Sequence, residues 1–226
     1  MMKNNLKIVA IIPAYNEEKH ISKVISLTKK YVDFVIVVDD GSSDKTFDIA
    51  KASCEGTDFV LRHPINSGKG VALYTGFILA EREEVDVIIT IDADLQHDAS
   101  QIPEFVSCLL ETKSDLVIGC RKSNRKMPFV FKFGNFVLNT TFRLLYGKKI
   151  NDTQSGFRAF KSGVFSKIAW NSSGYVVETE MLAAACKKKL KISEISIATQ
   201  YHDNYKGTTI FDGIKIFIQM LSWRVF

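Results

Sequence analysis

The chain has 226 residues, 46% of them hydrophobic and 24% charged, with a formal net charge of +5. That length bounds it at one large domain or two small ones, and the balance is that of a globular protein rather than a disordered or fibrous one. Cys54, Cys108, Cys120 and Cys186 form no C-x-x-C pair. This argues against a zinc ribbon or a disulfide scaffold and fits core thiols in a reducing compartment. No apolar stretch reaches about 18 residues and no signal-peptide pattern is visible, so neither a full membrane span nor secretion is expected.

Taken in chain order, residues 7–13 form a β-branched run that predicts a buried strand. Residues 16–30 carry Ile21, Val24, Ile25 and Leu27 at helical spacing. A second strand over 34–38 ends in Asp39-Asp40-Gly41-Ser42-Ser43, and Asp44 opens a helix to residue 50. Then follow a short strand at 59–62, a helix over 70–83, a strand over 85–91, a helix over 102–111 and a strand over 115–119. Strict alternation implies βαβ units and an α/β fold, Rossmann-like, with a doubly wound, mostly parallel sheet. Such sheets bind ligands beyond the carboxyl ends of their strands. Pro13-Ala14-Tyr15, Asp39-Asp40 and Asp92-Ala93-Asp94 all fall at those ends.

The texture changes after residue 120. Arg121, Lys122, Arg125 and Lys126 form a basic cluster, followed by Phe129, Phe131, Phe133, Phe136, Phe142 and Tyr146 and closed by Lys148 and Lys149. An aromatic-rich helix over about 128–147 with cationic ends is what an interfacial membrane helix needs. A core helix with solvated flanks is the other reading. The final segment, 208–226, is again apolar with Lys215 and Arg224 interspersed; it either lies on a membrane or precedes something further. The chain therefore reads as one domain over 1–207 with an amphipathic or membrane-proximal extension.

The run Val87-Ile88-Ile89-Thr90-Ile91 ends in two carboxylates, Asp92 and Asp94. At i, i+2 on an extended chain they face the same side and could hold one divalent ion against a diphosphate. An unpaired ionised carboxylate costs roughly several kcal/mol to bury, so a strand has no structural need for both. The competing reading is that Asp94 or Asp98 caps a helix starting near Ser100. At the first strand end, Pro13 stiffens the turn, Tyr15 offers an aromatic face, and Glu17 offers acceptors for a base or ribose; a helix dipole also favours acids there. Asp39 and Asp40 could accept base N–H or ribose hydroxyl bonds, whereas an Asx turn accounts for Asp44 but not for both. Asn66-Ser67-Gly68-Lys69-Gly70 lacks the first glycine and the hydroxyl residue of a P-loop, and the first strand lacks G-x-G-x-x-G.

Pro13-Ala14-Tyr15-Asn16-Glu17, Asp39-Asp40-Gly41-Ser42, Asp92-Ala93-Asp94-Leu95-Gln96-His97, Gly119-Cys120-Arg121 and Asp152-Thr153-Gln154-Ser155-Gly156-Phe157-Arg158 occur in that order. Together they resemble the family 2 glycosyltransferases with the GT-A fold, specifically the dolichyl- or polyprenyl-phosphate sugar synthases, over roughly residues 7–207. The resemblance implies that Pro13, Tyr15, Glu17, Val38 and Asp40 hold the nucleoside of a nucleotide-sugar donor. Asp92, Ala93 and Asp94 would contact its diphosphate through Mg²⁺ or Mn²⁺, with Gln96 as a third metal ligand. An oxygen-only set suits such hard cations. Arg121 matches an arginine near the transferring phosphates, and Lys206 a lysine on the donor phosphate. Gln200 stands where relatives that use GDP-mannose often carry an arginine, which leaves UDP- and GDP-linked donors both open. Lys69 reads as part of a flexible loop near the donor.

The implied acceptor is dolichyl or polyprenyl phosphate. A phosphomonoester is already anionic near neutral pH, its second pKa being about 6, so it needs no general base. Arg121, with Arg125, Lys126 or Arg158, would clamp it, the metal would stabilise the leaving group, and in-line attack would invert the anomeric centre. The expected setting is the cytoplasmic side of a membrane, peripheral or monotopic, with a membrane subunit as a further candidate partner and nucleic acid not among the partners. Two alternatives stand beside this reading. One keeps the fold but uses a sugar hydroxyl acceptor, with Glu178 or Glu180 as base; otherwise these acids open a helix or touch the sugar. The other is a non-catalytic, membrane-associated subunit.

Overall fold

The structure is a computed structural model and describes residues 6–121, 129–199 and 210–225. Its first half alternates as β1 (Ile8–Ala14), α1 (Ile21–Thr28), β2 (Phe34–Asp39), α2 (Thr46–Ser53), β3 (Phe59–Arg62), α3 (Lys69–Arg82), β4 (Val87–Thr90), α4 (Ile102–Glu111) and β5 (Leu116–Arg121). The second half runs α5 (Phe129–Tyr146), β6 (Arg158–Lys161), α6 (Phe165–Ile168), α7 (Val177–Lys187), β7 (Ile192–Ile197) and α8 (Ile210–Val225). The strands form one sheet in the order β3-β2-β1-β4-β6-β5-β7. Parallel pairing joins β3 to β2, β2 to β1, β1 to β4 and β5 to β7. Strand β6 runs antiparallel between β4 and β5.

Burial on both faces explains the continuous β-branched runs. Val9, Ile11, Ile36 and Val38 join one core with residues of α3, α5, α6, α7 and α8. Ala10, Ile12, Val35 and Val37 point the other way, into a core with α1, α2 and α4. The five strands expected from sequence are present with ends shifted by a residue or two. Strands β6 and β7 lie beyond the five expected, and β6 breaks the parallel run of the sheet. The expected helix over 16–30 begins only at Ile21, because residues 15–20 are spent on a loop in which Asn16 takes a φ of 53°.

Helix α5 occupies the expected segment and is amphipathic: Leu138 and Phe142 are buried, while Phe136 and Leu144 face outward. Helix α8 lies against it, with Ile216 and Met220 buried, Ile214 and Ile218 exposed, and the Tyr146 hydroxyl donating to the Met220 carbonyl at 3.1 Å. Among the described residues no helix is long and apolar enough to cross a membrane.

Helix α3 approaches β1 closely enough that a Cβ on Gly76 would collide with Cγ2 of the fully buried Ile11. Alanine there would gain about 1 kcal/mol of helix propensity but overpack a two-sided core at a cost of about 1–3 kcal/mol. Gly76→Ala should therefore lower the urea midpoint by the equivalent of up to about 2 kcal/mol with the slope unchanged. An equal or raised midpoint would mean that α3 can slide on the sheet.

Candidate active site

The strand order reverses between β1 and β4, since β2 and β3 continue to one side and β4 lies on the other. At that reversal, beyond the strand ends, opens a cleft of about 440 Å³. Pro13, Tyr15, Glu17 and Asp40 line it from the ends of β1 and β2, Asp92, Ala93 and Asp94 from the end of β4, and Lys69, Gly174 and Tyr175 from the second half of the cleft. Side-chain bonds hold the first two loops together. The Asn16 N–H donates to Ser42 Oγ at 2.9 Å, the Ser43 N–H to Asn16 Oδ1 at 2.9 Å, and the Glu17 N–H to Thr46 Oγ1 at 2.8 Å. Tyr15 stays 44% exposed on this rim.

Asp40 is buried at the end of β2. Its Oδ1 accepts from the Ser67 N–H at 3.0 Å and faces His63 Nδ1 at 2.7 Å, and its Oδ2 accepts from the Gly68 N–H at 2.6 Å. Three of its roughly four acceptor sites thus shape the turn that leads into α3. Gly68 has a φ of 96°, and a Cβ there would strike the Ser173 carbonyl. Lys69 is therefore held at the start of α3 and is not part of a flexible loop.

The ammonium of Lys69 lies 2.6 Å from Asp92 Oδ1 and 2.7 Å from Glu178 Oε1. Burial alone would lower its pKa, but the charges of Asp92 and Glu178 outweigh that and hold it well above the ordinary lysine range. Burial would likewise raise Asp92; Lys69, with His97 at 3.4 Å, overrides it and holds the carboxyl far below the usual range. For Asp94, burial and then the neighbouring charge of Asp92 push the pKa up. Its Oδ1 accepts from the Gln96 N–H at 3.0 Å and its Oδ2 from Gln96 Nε2 at 2.8 Å. The helix-cap alternative falls to Asp98, whose side chain accepts from the Ser100 N–H at 2.9 Å. Leu95, between these acids, adopts a φ of 62°, a conformation disfavoured for a non-glycine residue.

Among the described residues no group of three or more His, Cys, Asp or Glu side chains could hold a metal. Two carboxylates completed by ligand phosphates and water nonetheless suit Mg²⁺ or Mn²⁺. Burial and the neighbouring charge of Asp92 both disfavour an ionised Asp94, and a cation between the two carboxylates would relieve that. Asp92 and Asp94 fit such an ion. Gln96 turns its amide nitrogen toward Asp94, so here it orients that carboxylate and does not offer an oxygen beside it.

Several expected residues sit elsewhere. Arg158, read as a phosphate clamp, is 1% exposed. It donates to the carbonyls of Ser155 at 2.8 Å, Glu178 at 2.8 Å and Thr153 at 3.0 Å. Burial lowers its pKa to about 10 despite nearby acids; it fastens the 153–155 turn to α7 from inside the core. Val38 is fully buried, with its side chain in the core and not at the cleft. Arg121 ends β5 and pairs with Asp152 through Nε at 2.6 Å and Nη2 at 2.9 Å. Arg125, Lys126 and Lys206, like Gln200, lie outside the described residues. The sequence reading missed the bridge from Lys69 to Glu178, and also Tyr175 and Gly156. A Cβ on Gly156 would lie 2.6–2.9 Å from both Asp92 oxygens and the Lys69 ammonium, so the glycine leaves room for that pair.

A cleft lined by paired carboxylates and a buried ammonium stands at the strand-order reversal, where open α/β sheets bind their ligands. The family model for glycosyl transferase family 2 matches residues 9–169, and the chain belongs to that family. A UDP-N-acetylglucosamine–dolichyl-phosphate N-acetylglucosaminyltransferase of Methanococcus voltae is 34% identical over 96% of this chain and 96% of its own length. A dolichyl-phosphate beta-glucosyltransferase of Trichomonas vaginalis is 28% identical over 96% of this chain and 72% of its own. Glucosyl-3-phosphoglycerate synthase from Mycobacterium tuberculosis, solved with Mn²⁺, UDP and glucosyl-3-phosphoglycerate, superposes with a TM-score of 0.75 at 24% identity, over 96% of this chain and 78% of that one. That likeness concerns the fold, which is GT-A. The protein is thus a family 2 glycosyltransferase, similar over nearly its whole length to an enzyme named for dolichyl phosphate.

Two substitutions separate site from scaffold. Gly156→Ala crowds only the tips of flexible side chains, so it should melt near the wild-type temperature, while any stabilisation by added UDP and Mn²⁺ should be lost. Equal ligand stabilisation in the variant would show that the Asp92–Lys69 contact has slack. Arg158→Met should cost at least about 3 kcal/mol in denaturant unfolding, because three buried carbonyls lose their donor. Unchanged stability with a lost acceptor response would restore the clamp role.

Proposed function

We propose that this protein transfers a sugar from a nucleoside diphosphate sugar to a polyprenyl phosphate such as dolichyl phosphate, with inversion, at the cytoplasmic surface of a membrane. One observation carries the reading: Asp92 and Asp94 stand at the strand-order reversal beside a lysine that shares its charge with Glu178. A diphosphate bound through a cation completes that charge set. The donor is read as UDP-linked. The Methanococcus relative is named for a UDP-sugar and for dolichyl phosphate, the Trichomonas relative is named for dolichyl phosphate, and the mycobacterial structure holds UDP and Mn²⁺.

Pro13, Tyr15, Glu17 and Asp40 take the nucleoside at the ends of β1 and β2, and Lys69 takes diphosphate oxygens. Mg²⁺ or Mn²⁺ held by Asp92 and Asp94 supplies Lewis-acid neutralisation of the departing nucleoside diphosphate. Gln96 joins that set once its amide turns the oxygen inward. Glu178 Oε2 is buried without a hydrogen-bond partner among the described residues, and a sugar hydroxyl can donate to it. The acceptor phosphate is anionic at neutral pH and needs orientation rather than a base. Arg121, kept rigid by Asp152, and the segment bearing Arg125 and Lys126 offset its repulsion from the donor, while Lys206 adds charge on the donor side. Attack opposite the leaving group inverts the anomeric carbon. The exposed Phe136, Leu144, Ile214 and Ile218 on α5 and α8, near exposed Arg143, Lys149 and Arg224, are what peripheral contact with a lipid surface uses.

Purified protein with Mn²⁺, polyprenyl phosphate and a panel of UDP- and GDP-sugars should form an inverted polyprenyl-phosphate sugar from a UDP donor. Asp94→Ala should reduce kcat/KM by on the order of 10²–10³-fold. No labelled polyprenyl phosphate from any donor, or a product of retained configuration, overturns the proposal. Transfer to a sugar hydroxyl that requires Glu178 would favour the alternative acceptor.

A further inference from the structure

Glu180 lies in the first turn of α7, where the helix dipole alone would justify an acid. Its side chain does something more particular. Oε1 accepts from the Asn171 N–H at 3.1 Å and Oε2 from the Ser172 N–H at 2.9 Å. One carboxylate thereby fixes two successive amides of the loop that precedes the helix.

That loop reaches the cleft in two ways. It carries Gly174 and Tyr175 to the cleft, where Tyr175 is 46% exposed and its ring centroid lies 5.9 Å from the Lys69 ammonium. It also presses on the turn that bears Lys69: the Gly70 N–H donates to the Ser173 carbonyl at 2.6 Å, and Trp170 Nε1 donates to the Gly70 carbonyl at 2.9 Å. A Cβ on Gly68 or Gly70 would collide with the Ser173 or Ser172 carbonyl. The nucleoside end of the cleft is braced by Asn16 and Thr46, while Asp40 holds the turn before Lys69. Glu180 therefore acts on the Tyr175 side of the cleft and not through the Asn16 and Thr46 bonds.

We infer that Glu180 is a positioning residue for the donor sugar, acting through the 171–175 loop and Tyr175, and that it sets the affinity the sugar adds to the nucleotide without touching the substrate. This rests on the nucleotide-sugar reading above. The same contacts tie both Glu180 oxygens to backbone amides, which suits a positioning role better than that of a general base.

The test compares binding of UDP, UDP-glucose and UDP-N-acetylglucosamine to the full chain with Mn²⁺, by calorimetry, so that it does not depend on turnover. In wild type at least one UDP-sugar should bind more tightly than UDP. Glu180→Ala should weaken that UDP-sugar by roughly tenfold while UDP, which meets the loop through the Lys69 turn, loses much less, so the sugar's increment collapses. Glu180→Gln keeps one acceptor oxygen and should fall between the two. If Glu180→Ala fails to fold, Glu180→Gln carries the test alone: a reduced increment with a much smaller loss for UDP supports the role. An unchanged increment overturns it, as does equal loss for UDP and UDP-sugar, or a wild type that gains nothing from the sugar. Wild-type protein that transfers no sugar while the increment still depends on Glu180 would sink the transferase reading and leave this one standing.

Discussion

Lys69 sits between Asp92 and Glu178 at ion-pair distance from each, and the geometry of the cleft follows from keeping that ammonium in place. Asp92, Asp94 and Glu178 bring three negative charges to one end of the sheet, and Lys69 returns one. The remainder is a local excess of negative charge in a poorly solvated place, visible as the elevated pKa of Asp94. Such an excess is costly unless a cation shares it. A divalent ion arriving with a diphosphate suits this balance better than either alone: the ion meets the carboxylates, and the diphosphate gives the ammonium a second anion. The surroundings keep the lysine aimed. Asp40 holds the turn before it, the 171–175 loop presses on the turn after it, and Gly156 leaves space where any larger residue would intrude.

The sheet explains why these groups meet. Asp40, Lys69 and Asp92 are far apart in sequence, but parallel crossovers return each strand end to the same edge. The reversal between β1 and β4 leaves a gap there that no crossover fills. Antiparallel β6 brings its own preceding loop, Asp152 to Phe157, to that edge from the opposite direction. Gly156 and the Arg121–Asp152 pair arrive this way. Arg158 then locks the loop to α7 from beneath, which fixes Glu178 relative to Asp92.

Much of this was legible in the sequence, for a definite reason. Strands β1, β2 and β4 are buried on both faces, so their apolar runs are unbroken and their polar tips stand out. Strand β7 is half-buried along most of its length, and β6 has only four residues, beginning at an arginine; neither carries a periodic signal. Arg158 was misread because residue type cannot distinguish a cation that meets a ligand from one that meets buried carbonyls. Lys69 was misread because glycines on either side suggest mobility, whereas here they permit close backbone approach to Ser172 and Ser173.

Acids crowd the ligand edge, and their hydrogen bonds sort them better than their positions in sequence do. Asp44 accepts from Thr46 and Glu18, Asp98 from Ser100, Asp40 from Ser67 and Gly68, Glu180 from Asn171 and Ser172, and Asp152 answers Arg121. These five spend their acceptors on shaping loops, which is the ordinary use of Asp and Glu near strand and helix ends. Asp92 and Glu178 share one ammonium, with His97 also facing Asp92, and Asp94 accepts from the backbone and side-chain N–H groups of Gln96. Asp94 shapes its loop through Gln96 as the others do, but Asp92, Asp94 and Glu178 are also gathered round a single ammonium at the cleft. That concentration of charge is most economically explained by a ligand of opposite and matching charge, which is why the phosphate chemistry falls to these three acids and Lys69 while most acids around them shape loops.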